Sequence, residues 1–440
     1  MEQSSLARSP LSFAGAALTT VAALAFFVFY VSHALGWWIS PYAGLLGFVA
    51  IPAVFLLGLL IIPLGMWRER RRRRRGEAAW RWPTVDLASP RTRHVLVAVF
   101  FLTVVNLGIV SIASLGAAHY METTEFCGQV CHEPMRPEFT AHKEGPHANV
   151  TCVACHVSPG AAGTIRAKRN GTRQLYLVLR GTFARPIPTP ARGLPVAADT
   201  CVHCHRPALP MPDIMRVTRE YADDEANTET ATPLVVYPNR NHWHARADVR
   251  VDYIAADEKR ETIPYIRVTE PGGRVTEYLA KGVTARPTGP VRQMDCLDCH
   301  SRPAHTMAAS AGEAVDRAIA AGEINRDLPF VRRELVAALT ATYADDRAAE
   351  AGIAEHLTKF YAGQKKATPA LLTGAVSAGQ RLYHTNVFQD MKVTWGTYRN
   401  QRGHSDDVPG CFRCHDDEHK ASDGRVVRQD CAMCHKEPAS

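Results

Sequence analysis

The residues best able to do chemistry are the cysteines, and their spacing is regular. The 440-residue chain has 12 of them, and they fall into six short groups, each closed by a histidine. Five groups read Cys-x-x-Cys-His: Cys152/Cys155/His156, Cys201/Cys204/His205, Cys296/Cys299/His300, Cys411/Cys414/His415 and Cys431/Cys434/His435. The sixth has one extra residue, Cys127-Gly-Gln-Val-Cys131-His132. Thioether attachment of a porphyrin demands this order. Two thiols bond the ring edge, and the adjoining imidazole reaches the iron as its proximal ligand. A structural zinc site gathers four ligands around one ion, and a disulfide framework gives no reason for a histidine after every second cysteine. Six covalently bound c-type haems are therefore expected. At Cys127/Cys131 the extra residue must bulge out for both sulfurs to reach the ring; the alternative there is a disulfide or a bare thiol pair.

Each iron has a second face. The distal candidates outside the motifs are His147, His305, His404, His419 and one of His242 and His244. A histidine one turn past a motif histidine stays on the proximal side of its own haem. His419 after His415 and His305 after His300 would thus serve neighbouring haems and clamp them together. His203 lies inside a Cys-x-x-Cys loop and is not expected to ligate.

These groups need elements to carry them. From Leu11 to Trp67 the chain has no Asp, Glu, Lys or Arg. Ser40-Pro41 divides the run into Phe13–His33 and Tyr42–Met66, and Val95–His119 forms a third uncharged stretch; each is long enough to span a bilayer. A cleaved signal peptide is the alternative for the first, but no polar, small-residue cleavage region follows it. Arg68, Arg70 to Arg75, Arg81, Arg91 and Arg93 lie between the second and third stretches. The positive-inside rule places them in the cytoplasm, with the N-terminus there too and everything after the third span in the periplasm. The run accounts for much of the net charge of +8 and reads as a topology determinant, not as a nucleic-acid site. His33 and His119 would sit near the outer face as interfacial rings; the alternatives are a non-covalent haem or a quinone site.

The expected fold is mainly α, with much irregular structure and a small β-hairpin. Three N-terminal transmembrane helices would precede a multihaem periplasmic domain. The expected segments are a membrane hairpin and arginine loop (1–93), an anchor helix with a trihaem region (94–210), a connecting region (211–295) and a helical trihaem region (296–440). Pro271-Gly272-Gly273 joins Ile263–Thr269 to Val275–Leu279 as the hairpin. Ala311–Ala321, Val331–Ala344 and Ala348–Tyr361 have helical spacing.

The span Tyr120 to Met135, followed by Gly145-Pro-His147 and Cys152-Val-Ala-Cys-His156, resembles the NapC/NirT family over about Val95 to Pro207. Those are membrane-anchored cytochromes that oxidise quinol and pass electrons to periplasmic reductases. The resemblance implies a first haem at the membrane surface beside a quinol pocket. It also implies Met135 as that haem's sixth ligand, or a weakly held sixth position, and a distal role for His147. Two extra helices and a C-terminal extension depart from the usual single anchor and four haems. The expected partners are quinol in the inner membrane and a periplasmic redox protein or reductase. A terminal reductase of a small nitrogen or sulfur oxyanion, or an electron-transfer subunit of a larger membrane complex, is the alternative. Quinol oxidation also releases protons, and Glu138 and His142, between the first two motifs, are the expected acceptors.

Overall fold

In a computed structural model, the structure describes residues 9–34, 50–76, 88–130, 132–189, 195–197, 200–206, 209–404 and 408–436. Ser40-Pro41, Arg81 and Cys131 lie outside the described residues, as do the side chains of His33 and His132. The chain divides into two compact units, Met1–Val130 and Cys131–Ser440.

In the first unit the uncharged runs fold as helices, the form in which an apolar segment satisfies its own backbone hydrogen bonds. These are α1 (Pro10–Ala34), α2 (Ile51–Arg74) and α3 (Pro90–Tyr120). Within them Pro10–Ser32, Ile51–Arg72 and Phe100–Tyr120 are long and apolar enough to cross a membrane. Small residues let α1 and α2 approach closely, the usual basis of packing between apolar helices. A Cβ on Gly15 would come within 2.8 Å of the Gly58 carbonyl oxygen, and Ser12 Oγ donates to the Ile62 carbonyl at 3.0 Å. Beyond α3, Thr123 Oγ1 donates to the Tyr120 carbonyl (2.7 Å) and accepts from the Phe126 N–H (3.1 Å). The chain then makes a π-helical turn, Phe126–Val130. A π turn takes one more residue than an α turn. The extra residue of the first cysteine motif falls in this turn.

The second unit begins with α4 (His132–Lys143) and α5 (Gly160–Leu179). Among the described residues eight strands follow in the chain order β1 (Ile214–Tyr221), β2 (Glu229–Val236), β3 (Arg250–Ile254), β4 (Tyr265–Thr269), β5 (Val275–Leu279), β6 (Arg292–Gln293), β7 (Lys420–Ala421) and β8 (His435–Lys436). They form two antiparallel sheets, β1-β2-β8 and β6-β3-β4-β5-β7. The expected hairpin is β4–β5, with Thr269 opposite Val275 and its turn carried by Gly272 and Gly273 at φ of 89° and 83°. Only glycine adopts such angles without strain. The sheets exceed expectation: β1–β2 is a second hairpin, and the segment after the fifth motif and the end of the sixth each add an edge strand.

Between β6 and β7 lie α6 (Ala311–Ala320), α7 (Val331–Thr340), α8 (Asp346–Tyr361) and α9 (Pro369–Asn386). Ser310, Asp345 and Thr368 cap α6, α8 and α9 by accepting from the Glu313, Ala348 and Leu371 N–H groups, each satisfying an otherwise orphan donor. Val315, Val331, Leu335, Ile353 and Leu357 are completely buried in one cluster. α9 was not expected; its small residues, Ala375, Ala378 and Gly379, pack inward and give a weak periodic signal.

Candidate metal centres: five facing histidine pairs

Five of the six motif histidines stand opposite a histidine from elsewhere in the chain. The ring centroids of His147 and His205 are 6.0 Å apart, His156 and His305 6.1 Å, His242 and His300 6.3 Å, His244 and His415 6.0 Å, and His404 and His435 6.2 Å. A metal–imidazole nitrogen bond is about 2 Å. With the ring centre about 1 Å further on, two imidazoles in trans across one iron stand about 6 Å apart. All five pairs have this separation.

The hydrogen bonds orient the rings to suit. His305 Nδ1 donates to the Glu138 carbonyl (2.9 Å), His147 Nδ1 to the Pro303 carbonyl (3.0 Å), and His415 Nδ1 to the Arg428 carbonyl (2.8 Å). His244 Nδ1 lies 3.4 Å from the Asn241 carbonyl. A ring held this way keeps its Nε2 lone pair for a metal, the usual outer-shell arrangement of a ligating histidine. His242 Nδ1 is buried without a hydrogen-bond partner. Desolvation first holds His156, His244, His300, His305 and His404 below the ordinary imidazole range; at His305 the Glu138 charge opposes it, whereas at the other four neighbouring cationic groups add to it. They are thereby kept neutral, the form that binds metal. The donor set fits haem.

The pairs tie distant segments together. His242 and His244, two residues apart on a short turn, face two different motifs, where the sequence led us to expect one of them. His305 follows the fourth motif but faces the histidine of the second. Neighbouring thiols also feel one another in motif order. Cys155 is raised by burial and then by Cys201, and Cys296 likewise. Burial followed by Cys411 pushes Cys299 up to about 11, and raises Cys434. The second to sixth motifs thus form a chain of neighbours.

Two supporting residues escaped the sequence reading. Asp298, inside the fourth motif, is buried and accepts from Tyr253 Oη (2.6 Å), Arg260 (2.9 Å) and Arg292 (3.0 Å). It fastens that motif to the five-stranded sheet. Burial, then the Asp298 charge, drives the Tyr253 phenol far above its ordinary range. Arg302 is buried against Tyr398, donates to Glu138 Oε2 (2.8 Å) and to the His305 carbonyl (3.0 Å). A charged residue placed within or just after a haem motif was the signal available for both.

The remaining expected residues are placed differently. Among the described residues His419 faces no motif histidine. Its Nδ1 lies 2.8 Å from Asp416 Oδ2 and its Nε2 2.6 Å from the Ile263 carbonyl, so both ring nitrogens are committed. Turn geometry holds it where the spacing had suggested a ligand. Met135 lies on α4, one turn beyond His132. Glu138 is buried in its pairing with Arg302, and its carboxylate also lies 3.4 Å from His305 Nδ1. His142, on the same helix, is buried; its Nε2 meets the Val150 carbonyl at 2.9 Å and its Nδ1 has no partner.

Residues 89–187 match the family described as the NapC/NirT cytochrome c family, N-terminal region. The chain is also 37% identical to "Cytochrome c-type protein ImcH" of Geobacter sulfurreducens, over 97% of this chain and 87% of that protein. This chain belongs to the NapC/NirT-type membrane-anchored multihaem cytochrome c family. No solved structure matches it. Membership makes it a membrane-anchored electron-transfer protein that carries covalently bound c-type haem. The family match covers α3, the first two motifs and His147. The third to sixth motifs, and everything else beyond residue 187, lie outside it.

Proposed function

We propose that this cytochrome takes electrons from quinol in the inner membrane and delivers them to a periplasmic redox protein or reductase. In this reading the Cys127–His132 end receives electrons and the Cys411–His435 end delivers them. The N-terminus and the arginine-rich loop are cytoplasmic, and the second unit is periplasmic. Six haems are held, one per motif, with His132, His156, His205, His300, His415 and His435 as proximal ligands. Bound haem supplies one-electron chemistry at a potential set by its axial ligands, burial and hydrogen bonds.

The observation that carries this reading is the set of five facing histidine pairs. His305, His147, His242, His244 and His404 would close the distal faces of the second to sixth sites in turn. Such closed sites suit transfer. A terminal reductase needs a face open to substrate, which this arrangement leaves at most at the first site, where Met135 is the proposed sixth ligand. Glu138 and His142 remain the proposed proton acceptors beside the first site. Their surroundings separate them, because Glu138 also holds Arg302 and, through its carbonyl, His305.

Spin-state counting by electron paramagnetic resonance on the purified protein tests the pairing. Five low-spin bis-histidine signals are expected. His305→Ala should convert one of them to high spin while six haems remain attached by mass; an unchanged spectrum would remove His305 from the ligand set. Reduction by a quinol analogue tests the electron source. His142→Gln should slow it sharply with spin states unchanged, whereas Glu138→Gln should slow it and also disturb the second site. Normal rates in both variants would place proton uptake elsewhere.

A further inference from the structure

α5 is a long helix of the second unit with little of its surface enclosed. Among its described residues only Gly163, which has no side chain, is buried. Ile165, Tyr176 and Leu179 are 70%, 59% and 72% exposed, a costly display of apolar surface for a face that meets only water. They are not scattered. With Thr172 they recur at spacings that place them on one stripe of a 3.6-residue helix. Gly163, Ala167, Gln174 and Val178 occupy the opposite side, which includes the better-covered positions. Lys168, Arg169 and Arg173 flank the apolar stripe, Arg166 lies further round, and Gly160–Leu179 contains no Asp or Glu. Long cationic side chains beside an apolar stripe can lay their stems along it and carry their charges outward to an anionic surface.

We propose that α5 is an interfacial helix, docked on the anionic surface of the membrane that the first unit crosses. Three observations favour a lipid surface. The charge is of one sign along the whole helix, the apolar stripe lies between cations, and the chain itself is membrane-anchored, so a lipid surface is always at hand. A basic helix with a polar side and a narrow apolar stripe lies in the interface plane without spanning. Docked in this way, α5 fixes the tilt of the segment between the second and third motifs relative to the bilayer. The inference does not depend on the identity of the electron donor or acceptor.

The test uses the full-length holoprotein in nanodiscs and a membrane-impermeant maleimide, read as a mass shift. Leu179→Cys samples the apolar stripe and Gln174→Cys the opposite side. Moving from zwitterionic to anionic lipid should slow labelling of Leu179→Cys about tenfold, given the attraction of anionic lipid for each basic residue near the surface. Gln174→Cys should change by less than about twofold under the same attraction. Neutralising Arg166, Lys168, Arg169 and Arg173 to glutamine should restore fast labelling of Leu179→Cys on anionic discs. Equal rates for Leu179→Cys in both lipids would overturn the proposal. So would protection that survives charge neutralisation, since it would mean that the stripe is covered by something other than an anionic surface.

Discussion

The helical bundle α6–α9 and the haem-bearing segments around it are built on different principles. The bundle carries no cysteine motif and has an ordinary core. Leu335, Ile353 and Leu357 are completely buried, and its helices are capped by Ser310, Asp345 and Thr368. The motif segments have almost no core of their own. Cys155, Cys204 and Cys431 are exposed, and Val202 and Leu209, beside the third motif, lie outside every apolar cluster. Covalently attached haem, which the family carries, would supply the order that those segments lack. The bundle draws its order from side-chain packing and helix capping.

The largest break of that contrast should come from removing one attachment site. Cys201→Ala with Cys204→Ala should lower the mass by one haem. Amide exchange across 200–217 should rise to that of an unstructured chain, while α6–α9 keep their protection. If the bundle loosens as well, the two regions share one core and the comparison fails. The converse break is Leu335→Ala. A fully buried leucine cut to alanine costs about 2–5 kcal/mol. The loss should appear as an earlier thermal transition of the bundle, with the haem spectrum unaltered.

The same contrast explains what could be read in advance. The cysteine groups could be read as haem motifs because thioether chemistry demands a fixed local order, and the three spans were legible because twenty uncharged apolar residues have few other fates. The β4–β5 hairpin was legible through Gly272-Gly273. Which histidine faces which motif was not, because a facing pair is a contact between segments. His147 meets His205 and His305 meets His156 only after the chain has folded back. His419 shows the limit plainly: like His305 it closely follows a motif histidine, yet Asp416 and the Ile263 carbonyl hold both its nitrogens. The β1–β2 hairpin was missed because its strands face outward and alternate weakly.

Asp298 sits where the two principles meet, tying a haem motif to the sheet. Asp298→Asn keeps the shape but weakens its bonds to Arg260, Arg292 and Tyr253. A loss of about 1–3 kcal/mol is expected for disturbing hydrogen bonds to a charged group, together with a shift in the reduction potential of the fourth site. A stability loss with no change in potential, measured by redox titration, would make Asp298 a sheet residue only.

The smallest effect sharpens the comparison by pH. Asp252 on β3 is fully buried and accepts from Arg250 Nε (3.0 Å) and Arg267 Nη2 (2.6 Å). Burial by itself would raise its carboxyl, but the hydrogen bonds from Arg250 and Arg267 outweigh it and hold the group below the ordinary carboxylate range. A carboxyl depressed in the fold stabilises it fully above the unfolded value of about 3.9 and loses that contribution as pH falls through the lower folded value. Arg250 is largely exposed and Arg267 partly so, so solvent tempers the pairing, and Asp252→Asn should cost about 1–2 kcal/mol at neutral pH. The gap between wild type and variant, read from denaturant midpoints, should hold steady through neutral pH, narrow below about pH 4 and close in stronger acid. The Leu335→Ala gap has no titrating group behind it and should stay flat over the same range. An Asp252→Asn gap that also stayed flat would mean the sheet relies on the shape of that side chain and not on its charge.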